Sequence, residues 1–159
     1  MGSRALGRSF SALGVRTGPG SHLPTVGEHR SIEHTFSQGE VREFAEASAD
    51  RGKQHITPDA QGPLVVHGLL MGTLPTMVGG QLNFLTREMT RELVRPVFTG
   101  KAVRCGVVLT RRDPSTDRIR LAAGWECVND AHVTVMRGRA SGIVRSPAPP
   151  GDDGLLSQR

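Results

Sequence analysis

The chain has 159 residues, which by length is one domain with room for one core. Only 36% of it is hydrophobic and six residues are aromatic, five Phe and one Trp, so the core rests on Val, Leu, Ile, Met and Ala. The net charge of +5 raises nucleic acid as a partner, but three of those charges are Arg4, Arg8 and Arg16, ahead of the first acid, Glu28, and no basic run is interleaved with the aromatic rings that base stacking needs.

Residues 1–25 read as a flexible tail, punctuated by Gly18-Pro19-Gly20 and Pro24. The first 24 residues carry no acid and loosely match an organelle transit peptide, although a disordered extension or an early start codon is the commoner explanation. Val26 to Phe36 has the length and polarity of a first strand. Ser37 then suits a helix N-cap, and Glu40 three residues later completes a capping box. Val41, Phe44, Ala45 and Ser48 share one helical face, which predicts a short amphipathic helix to about Ala49, ended by Gly52. From Asp50 to Pro63 the chain is polar and irregular.

Leu64 to Val78 is almost wholly apolar and reads as a helix buried on every side, with Pro75 kinking its last turn and Gly79-Gly80 stopping it. Four strand-length runs follow: Phe84 to Val94, Val97 to Arg111, Arg118 to Val128 and His132 to Val144. Val103, Cys105, Val107 and Leu109 alternate as one face of a half-buried strand. Asp113 to Asp117 is a turn cluster, and Asn129-Asp130 suits a tight hairpin. Cys105 and Cys127 sit inside strand-like runs as small hydrophobes, not as a disulfide framework or zinc motif. No apolar stretch reaches the ~18 residues of a membrane span. These features favour a soluble cytoplasmic protein of α+β class, a curved antiparallel sheet around one buried helix over residues 26–146, with a second flexible tail at 147–159.

Two motifs carry a family resemblance. One is Ala49-Asp50-Arg51-Gly52-Lys53-Gln54-His55, an Asp followed five residues later by a His. The other is Val65-Val66-His67-Gly68-Leu69-Leu70, which opens the apolar helix. Together they resemble the MaoC-like hydratases and dehydratases, where a Gly-Asp-x-Asn-Pro-x-His loop precedes a helix beginning His-Gly. Leu93 to Gly100 also resembles that group's aromatic-x-x-Pro-x-x-x-Gly strand entry. The chain departs from the pattern at Ala49 for Gly, Gly52 for Asn and Lys53 for Pro, and the stretch between His55 and His67 is short.

The resemblance implies a hotdog fold and reversible hydration of a 2-enoyl thioester, or dehydration of a 3-hydroxyacyl thioester, with (3R) stereochemistry. Asp50 and His55 would grip one water, Gly68 would offer its backbone N–H to the thioester oxygen, and Thr76 would stand where a Ser bonds the catalytic Asp. His67 is expected to position the loop rather than touch substrate. The partner would be an acyl-CoA or an acyl-carrier-protein thioester, and two copies would pair as a homodimer or a dimer of dimers. No cofactor and no metal is expected, since Asp50, His55 and His67 match no standard metal spacing. Taken singly, Asp50 is more often a turn residue and His55 a surface histidine. Arg87, Arg91 and Arg95 read as a solvated strand face rather than a coenzyme clamp. The rival readings are a hotdog thioesterase, a non-catalytic acyl-thioester binder and, more weakly, a nucleic-acid-binding module.

Overall fold

Alternation of buried and exposed side chains gives the sheet its two faces. The computed structural model describes residues 25–58 and 62–145. The tails expected at 1–25 and 147–159 lie outside the described residues, Thr25 apart. In chain order the elements are β1 (His29–Thr35), α1 (Gln38–Ser48), α2 (Lys53–Ile56), α3 (Gly68–Met71), α4 (Thr73–Gln81), β2 (Leu85–Leu93), β3 (Ala102–Pro114), β4 (Arg118–Asn129) and β5 (Thr134–Arg145). The strands form one antiparallel sheet in the order β1-β3-β4-β5-β2. Val103, Cys105, Leu109, Leu121, Trp125, Cys127 and Met136 are buried on its inner face. They pack with Leu70, Leu74 and Val78 of the helices and with Val41 of α1, or form a second cluster at the Leu109 end.

The apolar run differs from its expected form. Leu64 to Val66 is extended rather than helical. The Val66 amide donates to the Val97 carbonyl at 2.8 Å, the Thr99 amide to Leu64 at 2.9 Å, and Val65 bridges Phe98. The helix that follows is broken at Gly72, between α3 and α4. Pro75 explains the position of the break: it has no amide to donate, and its ring crowds the carbonyl four residues back, that of Met71. Gly79 and Gly80 do not stop α4, which runs to Gln81. Glycine weakens a helix without forbidding it, and Phe84 packs over Gly79. Nor is the helix enclosed on every side, because Leu69 is 55% exposed and Thr76 is also exposed.

Two further features follow from cross-strand register. Cys105 lies opposite Cys127, both fully buried. Hydrogen bonding between the thiols, and then burial, hold the Cys105 thiol far above the ordinary thiol range, so it is no nucleophile. Trp125 lies opposite Gly138. A Cβ at residue 138 would sit 2.4 Å from the indole and 2.2 Å from the Thr90 carbonyl oxygen, so only glycine lets the ring lie across β5.

The capping box of α1 is formed. The Glu40 amide donates to Ser37 Oγ at 3.2 Å, and the Ser37 amide donates to the Glu40 carboxylate at 2.7 Å. Burial opposes charge on Glu40, but hydrogen bonds from the Ser37 amide, the Ser37 hydroxyl and His34 outweigh it and lower the carboxyl pKa. A carboxyl whose folded pKa is depressed stabilises the fold above its unfolded pKa and loses that contribution as pH falls through the folded value. Ser37→Ala is therefore expected to cost about 1 kcal/mol near neutral pH. In urea denaturation the gap from wild type should narrow as the pH falls below the usual glutamate range.

Candidate active site

The loop after α1 starts with a constrained residue. Ala49 takes left-handed backbone angles, φ 60 and ψ 11, and ends α1. This corrects the expected stop at Gly52, which instead caps α2. The reversal at Ala49 turns Asp50 out of the helix. The Gly52 amide then donates to Asp50 Oδ1 at 3.3 Å, which holds the carboxylate, and the Asp50 amide donates to Ser48 Oγ at 3.2 Å, which holds its backbone.

α2 carries His55 inward, where it is 7% exposed. Its Nδ1–H donates to the Val65 carbonyl at 2.7 Å, and the Val65 amide donates back to the Gln54 carbonyl at 2.9 Å. A carbonyl only accepts, so Nδ1 carries the proton and Nε2 of the neutral ring keeps its lone pair free. That Nε2 stands 3.9 Å from Asp50 Oδ2. The gap is too long for a direct hydrogen bond and right for one small oxygen held by both. The Asp50 side chain is 57% exposed, so the pair opens toward solvent.

His67 is 2% exposed and caps α3. Its Nε2–H donates to the Asp50 carbonyl at 3.0 Å, which ties the loop to the helix. The His55 and His67 rings stack with centroids 3.7 Å apart and planes at 17°, and Phe44 of α1 packs on the far side of His67 at 5.0 Å. One ligand atom from each of Asp50, His55 and His67 lies within 4.8 Å of the others. The stacked rings, however, set their in-plane lone pairs side by side, whereas tetrahedral ligation needs them to converge. The His67 side chain makes no cap bond, so the first amides of α3 have no side-chain partner from their cap.

No protein-family profile matches the sequence, and no curated protein matches it. Solved structures do. An (R)-hydratase from A. caviae involved in PHA biosynthesis matches with a TM-score of 0.66 at 23% identity, over 75% of this chain and 96% of its own. An R-hydratase from Pseudomonas aeruginosa matches with a TM-score of 0.63 at 19% identity, over 84% of this chain and 94% of its own. A MaoC-like dehydratase from Rhodospirillum rubrum matches with a TM-score of 0.63 at 17% identity, over 78% and 95%. This chain has the MaoC-like hotdog fold.

Within that hotdog, the two motifs meet: Asp50, His55 and His67 share one cluster beside Gly68 at the start of α3. Thr76 does not bond Asp50. Its hydroxyl donates to the Gly72 carbonyl one turn back at 3.0 Å, the back-bond that a Thr inside a helix commonly makes. Arg87, Arg91 and Arg95 are exposed, as a solvated strand face should be, and the Arg91 guanidinium lies across Gly72. Three contributors carried no sequence signal. The Val65 carbonyl acts through its backbone, Phe44 is a plain core position, and Leu93 looks like any edge-strand residue. A Cβ at Gly68 would meet Leu93 Cδ1 at 2.3 Å, so Leu93 forms a wall beside the α3 amides.

Two substitutions test this geometry. Ala49→Gly removes the left-handed penalty on a Cβ-bearing residue and should raise stability by about 1 kcal/mol in urea denaturation, without moving the loop. Gly68→Ala should lower stability by about 1 kcal/mol, and Leu93→Ala in the same chain should restore most of it, because the clash is with the end of one flexible side chain.

Proposed function

We propose that this protein is a hydro-lyase acting on acyl thioesters, adding water to a 2-enoyl thioester or removing it from a (3R)-3-hydroxyacyl thioester, and that it is a member of the MaoC-like family. The observation that carries the reading is the 3.9 Å gap between His55 Nε2 and Asp50 Oδ2, with the far nitrogen of the imidazole tethered to Val65.

A water in that gap would be gripped by two groups that backbone hydrogen bonds orient, and it would enter from the open side of Asp50. Its oxygen bonds to C3 of the enoyl group as the C2–C3 π electrons shift toward the thioester carbonyl, while one of its protons passes to His55 Nε2 of the Asp50–His55 pair. A proton from the same pair goes to C2 on the same face. The pair ends as it began, and the substrate has gained one water. Charge that gathers on the thioester oxygen meets the Gly68 N–H at the amino end of α3, where the backbone dipoles favour an anion. The neighbouring structures support this reading by their own descriptions as hydratases and dehydratases.

Asp50 is half open, and Leu69, Leu85 and Leu93 are exposed apolar residues on the helix and on edge strand β2. A second copy of the chain laid along this edge would cover them and close the site. Solved relatives of the fold include the ChsH1-ChsH2 and HadBC complexes of Mycobacterium tuberculosis.

The test is loss of conjugated-thioester absorbance when a short 2-enoyl-CoA is added. Asp50→Asn and His55→Gln should each lower kcat/KM by about a hundredfold or more, the usual contribution of a positioned acid or base. Unchanged activity in both variants removes the pair from the mechanism. Release of free thiol would assign a thioesterase instead, and binding without turnover a non-catalytic acyl-thioester binder.

A further inference from the structure

The sheet has a second face, turned away from the helices. In β4, Arg118, Arg120, Ala122, Gly124 and Glu126 alternate with the buried Ile119, Leu121, Trp125 and Cys127. In β5, Arg137, Arg139, Ser141 and Arg145 alternate with the buried Met136, Ala140 and Val144. Helices α1, α3 and α4 pack on the buried set, so the outer face lies across the sheet from Asp50 and His55. At one end of this face the charges are matched. Arg104 holds Glu33 at 3.0 Å, and Arg137 holds Glu92 at 2.7 Å.

The other end is built differently. Asp113 stands opposite Arg120 in the register, but Arg111 takes it at 2.7 Å. Arg87, Arg120, Arg139 and Arg145 have no ion-pair partner among the described residues. Arg118 and Arg145 are cross-strand partners, a placement that like charges disfavour. Between these groups the floor is low, because Ala122 and Ser141, opposite each other at its centre, are small. Both line two adjoining depressions of about 300 and 440 Å³. Arg87, Arg111 and Arg120 rim the first, and Arg139 the second, which also meets Glu88. The Ser141 hydroxyl has no hydrogen-bond partner among the described residues, and no aromatic ring lines either depression.

We propose that this end of the outer face binds a compact oligophosphate, two or more linked phosphate groups, free or as the diphosphate of a nucleotide. A guanidinium fork matches phosphate oxygens two at a time, which makes arginine the side chain of choice for such groups. Linked phosphates give an anion to each depression, whereas a single phosphate fills one and leaves the guanidinium groups around the other unmatched. The Ser141 hydroxyl supplies a donor on the floor between them. Recognition rests on the anion alone, since no ring is present on which a base would stack. The depressions have the size of a small-molecule site, not of a groove that tracks a nucleic-acid strand. Because the face lies across the sheet from the acid and imidazole, the proposal does not rest on the hydro-lyase reading.

The full chain is titrated by calorimetry with inorganic pyrophosphate, with orthophosphate and with citrate, all at one ionic strength. Pyrophosphate should bind about tenfold or more tighter than either of the others, the effect of an added charge-assisted hydrogen bond. Arg120→Gln and Arg139→Gln should each weaken pyrophosphate about tenfold. Arg104→Gln removes the same charge from the same face, but from a guanidinium that Glu33 already holds, and should leave the affinity unchanged. ADP separates the two sources. Binding equal to that of pyrophosphate assigns a nucleotide diphosphate, weaker binding assigns the free anion, and either upholds the site. No binding of pyrophosphate, citrate bound as tightly, or an equal loss in all three variants overturns the proposal, the last by showing a diffuse field in place of a site. A short DNA duplex that binds where pyrophosphate does not overturns it as well, and makes the face a nucleic-acid surface.

Discussion

Two imidazole-to-carbonyl hydrogen bonds cross between the Asp50 loop and the segment that enters the helix, and the site depends on both. His55, on the loop side, donates to Val65. His67, on the helix side, donates to Asp50. Each histidine thus holds the other's stretch of backbone, and the two rings stack where the segments cross. Both rings are buried, so a broken bond would leave a polar group unpaired where the local dielectric is low. The same pair of bonds settles the tautomer of His55, the direction of its free nitrogen, and the distance to the Asp50 carboxylate.

The rest of the fold keeps that crossing in place. The extended stretch from Leu64 to Val66 is anchored on Val97 to Thr99, so Val65 presents its carbonyl from a fixed ladder. Phe44 closes the outer side of His67 and is itself set by α1, which the capping box starts and Ala49 ends. Ala49 shows how far the sequence can move from a pattern without moving the backbone. It stands where the resembling loop has Gly, yet it holds the left-handed angles that a Gly would take freely. The loop geometry is retained at the cost of local strain, and the surrounding hydrogen bonds of Asp50 hold it there.

The helix and edge strand β2 add a second constraint, on which side chains can lie against the helix. Small residues at Gly68 and Gly72 leave room for Leu93 and Arg91, whose side chains lie across the helix there.

The sequence by itself determined what is written in short-range chemistry. The capping box at Ser37 and Glu40, the strand alternation around Val103 to Leu109, the turn within the Asp113 to Asp117 cluster, which the structure narrows to Ser115 to Asp117, and the two motifs around Asp50 and His67 are each set by residues a few positions apart. Tertiary structure decided the remainder. An apolar run such as Leu64 to Val78 has no periodicity to separate a buried extended segment from a buried helix, and its first three residues are extended because Val97 to Thr99 supply partners about 35 residues away. Thr76 turned to its own helix because a backbone acceptor one turn back was nearer than Asp50. The role of Val65 lies in a carbonyl that every residue possesses, and the arginines of the outer sheet face come together only once their strands pair in register. Such features depend on which backbone and which wall a group meets after folding, and that is a property of contacts between distant segments.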